Sequence, residues 1–243
     1  MKRTIKIQRL LALLALFFCL CASAQETYRF AERDTCSLYL DIFRPDSSAQ
    51  TTFKGINKPA VMFLFGGGFV GGSRSDANAR RWFSRLTANG YTVVAIDYRL
   101  GMKGHKMGKG LRGAVKVLGR FVLSQQIGVE DVFSAVSYLA AHPELHVPAD
   151  NIVISGSSAG AIISLASAYA IANGKTEGLP EGFTFKGVMS FAGGIISKEG
   201  APSLRKPPVR YSSFMAPQTR LWPTSILALF VAASGAAAIL PLN

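Results

Sequence analysis

Acidic residues are scarce in this chain, and two side-chain types vanish before its end. The 243 residues carry 14 Asp and Glu against 27 Lys and Arg, a formal net charge of +13. No acid follows Glu199, and neither aspartate nor histidine occurs after residue 158. Histidine is confined to His105, His142 and His146, and cysteine to Cys19, Cys21 and Cys36. The cysteine count excludes a disulfide framework. The apolar runs are also short: Leu10 to Cys21 is twelve residues and the alanine-rich Ile226 to Leu240 fifteen. Neither reaches the length of a usual membrane span, so no stable span is expected.

The first 24 residues read as a cleavable export signal. Met1 to Arg9 is basic, Leu10 to Cys21 apolar, and Ala22-Ser23-Ala24 has the small-x-small form that precedes cleavage before Gln25. The mature chain is then expected to be secreted or periplasmic, with Cys36 as its lone, structural thiol and no intramolecular disulfide. The positive charge is spread in a way that argues against nucleic acid. Lys2, Arg3, Lys6 and Arg9 leave with the signal, and Arg205, Lys206, Arg210 and Arg220 lie in an acid-free tail. No nucleic-acid-binding module accompanies them. The remaining dense stretch, Lys103 to Arg120, alternates bases with glycines. It reads as a solvated loop, with binding to phosphate or an acidic surface as the alternative chemistry.

Between the ends, strand and helix patterns alternate, as in an α/β protein whose mostly parallel sheet is covered on both faces. Residues 27–30 and 37–43 are candidate leading antiparallel strands. Residues 59–65 and 91–96 are continuous apolar runs of strand length, suited to burial on both faces. Residues 76–89 have helical character with Gly90 placed as a cap, and 129–141 have helical periodicity. Residues 151–155 and 185–191 read as further strands. There is no internal repeat, and no long linker before residue 200. The organisation expected is a signal over 1–24, an incomplete domain over 25–202, and an aberrant apolar, proline-bearing tail over 203–243.

The chemistry is concentrated in Asn151 to Gly160. An apolar strand runs into Gly156-Ser157-Ser158-Ala159-Gly160, and residues 161–170 continue as a helix. This is a G-x-S-x-G turn between strand and helix, which holds a serine hydroxyl at the open end of a sheet. Gly156 and Gly160 must be small because strand and helix approach closely there. A second glycine cluster, Phe65-Gly66-Gly67-Gly68-Phe69, follows an earlier apolar strand. Backbone N–H groups in such a loop can face a carbonyl oxygen, and donors of this kind are worth about 3 kcal/mol each in acyl transfer.

These segments, with Gly71-Gly-Ser-Arg74 and Asp97-Tyr-Arg-Leu100, resemble the carboxylesterase/lipase branch of the α/β-hydrolases. The likeness is greatest to secreted bacterial esterases of the carbohydrate-esterase or feruloyl-esterase kind, over about residues 30 to 200. The resemblance implies a serine esterase acting on a small-molecule or carbohydrate-linked ester, with no metal and no organic cofactor. It implies Ser158 as nucleophile, Gly67, Gly68 and Ala159 as oxyanion donors, and Gly156, Ser157 and Gly160 as the elbow around the serine. It also implies that Asp97 and Arg99 hold loops beside the site. Phe65 stands where the family usually has histidine, so a bracing side chain is lost while the backbone donors remain.

The same resemblance exposes what is missing. A hydroxyl needs a base to act as a nucleophile, and the family's order is Ser, then Asp or Glu, then His. His142 and His146 precede the elbow strand and should lie at its far edge. His105 lies on the mouth side, in a loop the family does not use for the base. Glu177, Glu181 and Glu199 are the remaining carboxylates after Ser158, the first two in a polar connection. Read one nucleotide earlier, the codons for Ser213 to Thr219 admit H-G-T-A-D, the run the family expects after its next strand. A frameshift near residue 205 would account for this, and a natural apolar tail is the alternative. The prolines Pro207, Pro208, Pro217 and Pro223 suit central strands poorly, so the sheet is expected to end prematurely, with an exposed apolar edge. The function expected is thus an impaired secreted serine esterase, with a non-catalytic α/β-hydrolase fragment or binding protein as the alternative and a peptidase of the same fold as a weaker one.

Overall fold

Two antiparallel strands lead the chain: β1 (Glu26–Arg33) and β2 (Cys36–Phe43). A small hairpin follows, β3 (Thr52–Phe53) with β4 (Ile56–Asn57), which the sequence pattern did not reveal. Then come β5 (Ala60–Leu64), α1 (Ala77–Ala88), β6 (Val93–Ile96), α2 (Gly110–Ala141) and a 3-10 turn (Pro143–Leu145). β7 (Ile152–Ser157), α3 (Ala159–Ala172), β8 (Gly187–Phe191) and β9 (Tyr211–Phe214) complete the order. This computed structural model describes residues 25–74, 76–105 and 110–194, and the backbone of Tyr211–Phe214. The expectations for the export signal, Glu199, Met215 to Thr219 and the apolar run 226–240 lie outside the described residues.

The main sheet has the order β1-β2-β6-β5-β7-β8-β9, parallel from β6 to β9. β5 and β6 are buried along their whole length, which is why their sequences are unbroken apolar runs. α1 covers one face: Trp82 and Phe83 pack on Phe63, Phe83 on Phe43, and Trp82 on Phe191. Ser190, of opposite side-chain parity to Phe191, meets Ala161 of α3 across Gly193. α3 and α2 therefore cover the other face, and Gly128 lets α2 approach Ile163 of α3. Local signals set the ends of α1. Asp76 accepts from the N–H groups of Asn78 and Ala79, and Gly90, at φ 79°, follows the C-cap.

Two expectations need correction. The basic, glycine-rich stretch is not a loop beyond residue 110, because α2 begins at Gly110 rather than near residue 129. Leu111, Val115, Leu118 and Val122 already carry a helical spacing, and tertiary contact offsets the weak propensity of the glycines. The sheet also does not end at β8: Tyr211–Phe214 pair parallel with Val188–Phe191. The tail's prolines flank this tetrapeptide without interrupting it, and its two aromatic residues favour extended backbone.

Candidate active site

The chain leaves β5 towards β6 on one side and later returns to β7 on the other. The strand order thus reverses at β5, and α/β sheets bind ligands in the crevice outside the carboxyl ends at such a point. Leu64 at the end of β5 is in register with Gly156 of β7. The loop after β5 and the turn after β7 therefore leave the same edge side by side.

Ser158 is the residue between β7 and α3. Its backbone sits at φ 50°, ψ −114°, and its N–H donates to the Phe191 carbonyl oxygen at 2.8 Å. A non-glycine residue in this conformation carries about 1–3 kcal/mol of strain, held by its surroundings. The surroundings are tight. A Cβ on Gly156 would lie 2.3 Å from the Gly160 carbonyl carbon, and one on Gly160 would lie 2.2 Å from the Leu64 oxygen. Ser157 ends β7, and Ala159 opens α3 fully buried.

The triple-glycine loop lies against this turn. A Cβ on Gly66 would be 3.3 Å from Ser158 Cβ. Gly67 (φ 133°) and Gly68 (φ 61°) occupy backbone that side chains resist, and the Gly67 oxygen accepts from the N–H groups of Val70 and Gly71. The N–H groups of Gly67, Gly68 and Ala159 have no hydrogen-bond acceptor among the described residues. The structure thus brings the serine turn and three unengaged backbone donors to one edge of the sheet.

Sequence reasoning missed the brace of this loop, which is Tyr98. Its hydroxyl donates to the Phe65 carbonyl oxygen at 2.8 Å, and its ring stacks on Phe65 with centroids 4.4 Å apart. Burial raises the Tyr98 pKa well above the ordinary tyrosine value, so the phenol stays a donor. Phe65, out of place for a polar brace, fits an aromatic one. At the far end of the loop, Phe69 is completely buried, and its oxygen accepts from the Met102 N–H at 3.0 Å.

Asp97 and Arg99 hold structure around the mouth. Arg74 bridges Asp97 (2.7 Å) and the buried Asp41 (2.8 Å). Arg99 binds Asp131 and Glu130, and Arg33 reaches the same fully buried Asp131. Burial disfavours the Arg99 charge, but hydrogen bonds to Asp131 and Glu130 outweigh it and keep its pKa above the usual value. Asp131, thirty-two residues from Arg99, carried no sequence signal of this role.

The Ser158 hydroxyl has no imidazole or carboxylate partner among the described residues. His142 bonds Glu144 at 2.7 Å beside Tyr138, and His146 follows the 3-10 turn; both precede β7 and lie at the opposite edge. His105 is exposed in the turn that follows Met102. Glu177 and Glu181 are exposed. A cavity of about 420 Å³, lined by Leu139, Val147, Asp150, Glu181, Phe183 and Lys186, opens near the starts of β7 and β8, away from Ser158. Among the described residues no cluster of three His, Cys, Asp or Glu side chains is placed to hold a metal ion.

The sequence profile of the Carboxylesterase family matches residues 20–177, well over half of the chain. The chain belongs to the carboxylesterase family. It is 26% identical over 141 residues to carboxylesterase patB of Aspergillus clavatus, which covers 54% of this chain and 24% of that protein. The chain thus spans about a quarter of the length of that curated relative. Among solved structures, esterase 2 of Thermogutta terrifontis phosphoramylated by tabun superposes with a TM-score of 0.56 at 21% identity, covering 86% of this chain and 77% of that one. The native form of that esterase gives 0.55 at 24% identity, covering 86% and 76%. These likenesses establish the α/β-hydrolase fold of this carboxylesterase-family chain, with a mostly parallel, doubly wound sheet.

Proposed function

We propose that this carboxylesterase-family chain is a carboxylic-ester hydrolase scaffold with an impaired catalytic set. In this reading Ser158 Oγ adds to the ester carbonyl carbon, and the N–H groups of Gly67, Gly68 and Ala159 hold the oxygen as it gains charge. The alcohol departs, and water releases the acid from the acylated serine. The substrate would be a small-molecule or carbohydrate-linked ester. The observation that carries the proposal is the strained Ser158 turn set against a glycine loop with unengaged N–H groups. Without an imidazole partner, the hydroxyl proton must pass to solvent, which makes acylation slow.

Exposure of the purified chain to a fluorophosphonate tests the serine assignment. Loss of fluoride should leave one phosphonyl adduct, which peptide mass spectrometry locates on Ser158 and which Ser158→Ala lacks. An adduct on Ser157, or one that survives Ser158→Ala, would reject the site. The second reading, a protein that binds esters without turning them over, is favoured by the same unpartnered hydroxyl.

Export is part of the proposal, supported by the Ala22-Ser23-Ala24 pattern. The mature protein, secreted or periplasmic, should begin at Gln25, and N-terminal sequencing that found Met1 would contradict this.

A further inference from the structure

While Val117 and Leu118 of α2 pack against the core, the amino-terminal end of the helix carries apolar side chains that are left exposed. Phe121 packs on Phe69 of the glycine loop, with ring centroids 5.7 Å apart. From there the helix runs back to Gly110, about 16 Å beyond the loop at the usual rise per residue. Along this extension Leu111 is 83% exposed and Val115 65%. They lie one turn apart on one stripe, and the exposed Arg112 and Lys116 form the neighbouring stripe, continued by Arg120. The sequence contains no acid between Asp97 and Glu130. Among the described residues, Lys103, Arg112, Lys116 and Arg120 make no ion pair.

We infer that this end of α2 docks the protein on an anionic phospholipid surface, with Leu111 and Val115 entering the acyl boundary and Arg112, Lys116 and Arg120 engaging the head groups. A helix that presents apolar and basic stripes side by side suits that interface, where both stripes are satisfied at once. No described helix is long and apolar enough to cross a membrane, so the contact lies in the surface plane. Charge decides against the rival occupants. The chain's own tail carries Arg205, Lys206, Arg210 and Arg220 with no acid after Glu199, and a second copy would oppose the net positive charge of the mature chain with the same charge. An acidic polysaccharide would match the charge but would leave the apolar stripe in water. The exposed face also has no aromatic ring for a sugar to stack on, since Phe121 is turned to Phe69. Docking here goes beyond ester hydrolysis and does not depend on Ser158. Because α2 is anchored to the loop edge through Phe69, it would bring the open end of the sheet to the lipid.

Flotation of the full-length mature chain on a density gradient tests this without confusing binding with aggregation, since aggregates sink. The protein should rise with phosphatidylglycerol vesicles, stay down with phosphatidylcholine vesicles, and be released by salt. Each base near such a surface contributes about fivefold, so Arg112→Gln with Lys116→Gln should weaken binding about 25-fold. Leu111→Ser with Val115→Ser should weaken it about tenfold or more. Arg81→Gln with Arg85→Gln, exposed on α1, should leave it unchanged, as should Ser158→Ala. Equal flotation with both lipids, an equal loss from the α1 pair, or no flotation would overturn the inference. Retention on polygalacturonate without flotation would also overturn it and assign the face to an acidic polymer.

Discussion

Purified protein should hydrolyse p-nitrophenyl acetate about a million-fold more slowly than a serine hydrolase with its full triad, and His105→Ala should leave that rate unchanged. Triad members act as a unit: removing the base alone costs about as much as removing the set, and what survives is about 10³–10⁴-fold over water from oxyanion donors and binding. On the proposed reading the N–H groups of Gly67, Gly68 and Ala159 remain as donors, and among the described residues no imidazole or carboxylate hydrogen-bonds the Ser158 hydroxyl. His105 is exposed in a turn, its N–H donating to the Met102 oxygen at 3.1 Å, and among the described residues no side chain hydrogen-bonds its ring. Ser158→Ala should therefore lower the residual turnover only a few-fold, even though it removes the phosphonyl adduct. Gly68→Ala should lower it further, because a side chain at φ 61° disturbs the donors that remain. Steady-state rates for the four proteins check this. Full turnover abolished by His105→Ala would mean that His105 is the base, and the account of an impaired site would fall.

The legible parts of this fold are those where one local pattern suffices. Ala60–Leu64 and Val93–Ile96 are unbroken apolar runs because both faces of the sheet are covered, and Asp76 marks the start of α1 by capping it. The Ser158 turn is legible because close packing leaves its flanking positions only to glycine. The illegible parts depend on partners distant in sequence. Tyr98 braces Phe65 across thirty-three residues, and Asp131 gathers Arg33 and Arg99 from two other segments. The helix from Gly110 onward was hidden by its glycines. Their weak propensity is outweighed by contacts such as Gly128 on Ile163 and Gly101 beside Ser124. β9 was hidden by the prolines around it, though none falls within Tyr211–Phe214.

Gly160→Ala should destabilise the protein by about 4 kcal/mol or more, beyond the 1–3 kcal/mol usual for an overfilled core. Helix propensity alone favours alanine in α3 by about 1 kcal/mol, so the sign of the change isolates the packing. The new Cβ would lie 2.2 Å from the Leu64 oxygen and 2.5 Å from the Phe65 oxygen. Those atoms are backbone at the end of β5, a strand paired with β6 on one side and β7 on the other, and so unable to retreat. α3 would have to lift, and Ser158, whose N–H is tied to Phe191 and whose carbonyl oxygen accepts from the Ile162 N–H, would lift with it. Gly71→Ala provides the contrast: nothing lies within 4 Å of its added Cβ, so its effect should stay within about 0.5 kcal/mol. Against a total stability of about 5–15 kcal/mol, the first substitution should yield insoluble protein or a greatly lowered urea midpoint, and the second a superimposable curve. A Gly160→Ala protein that unfolded at the wild-type midpoint would show that α3 does not rest on the end of β5, and the placement of Ser158 beside the glycine loop would fail with it.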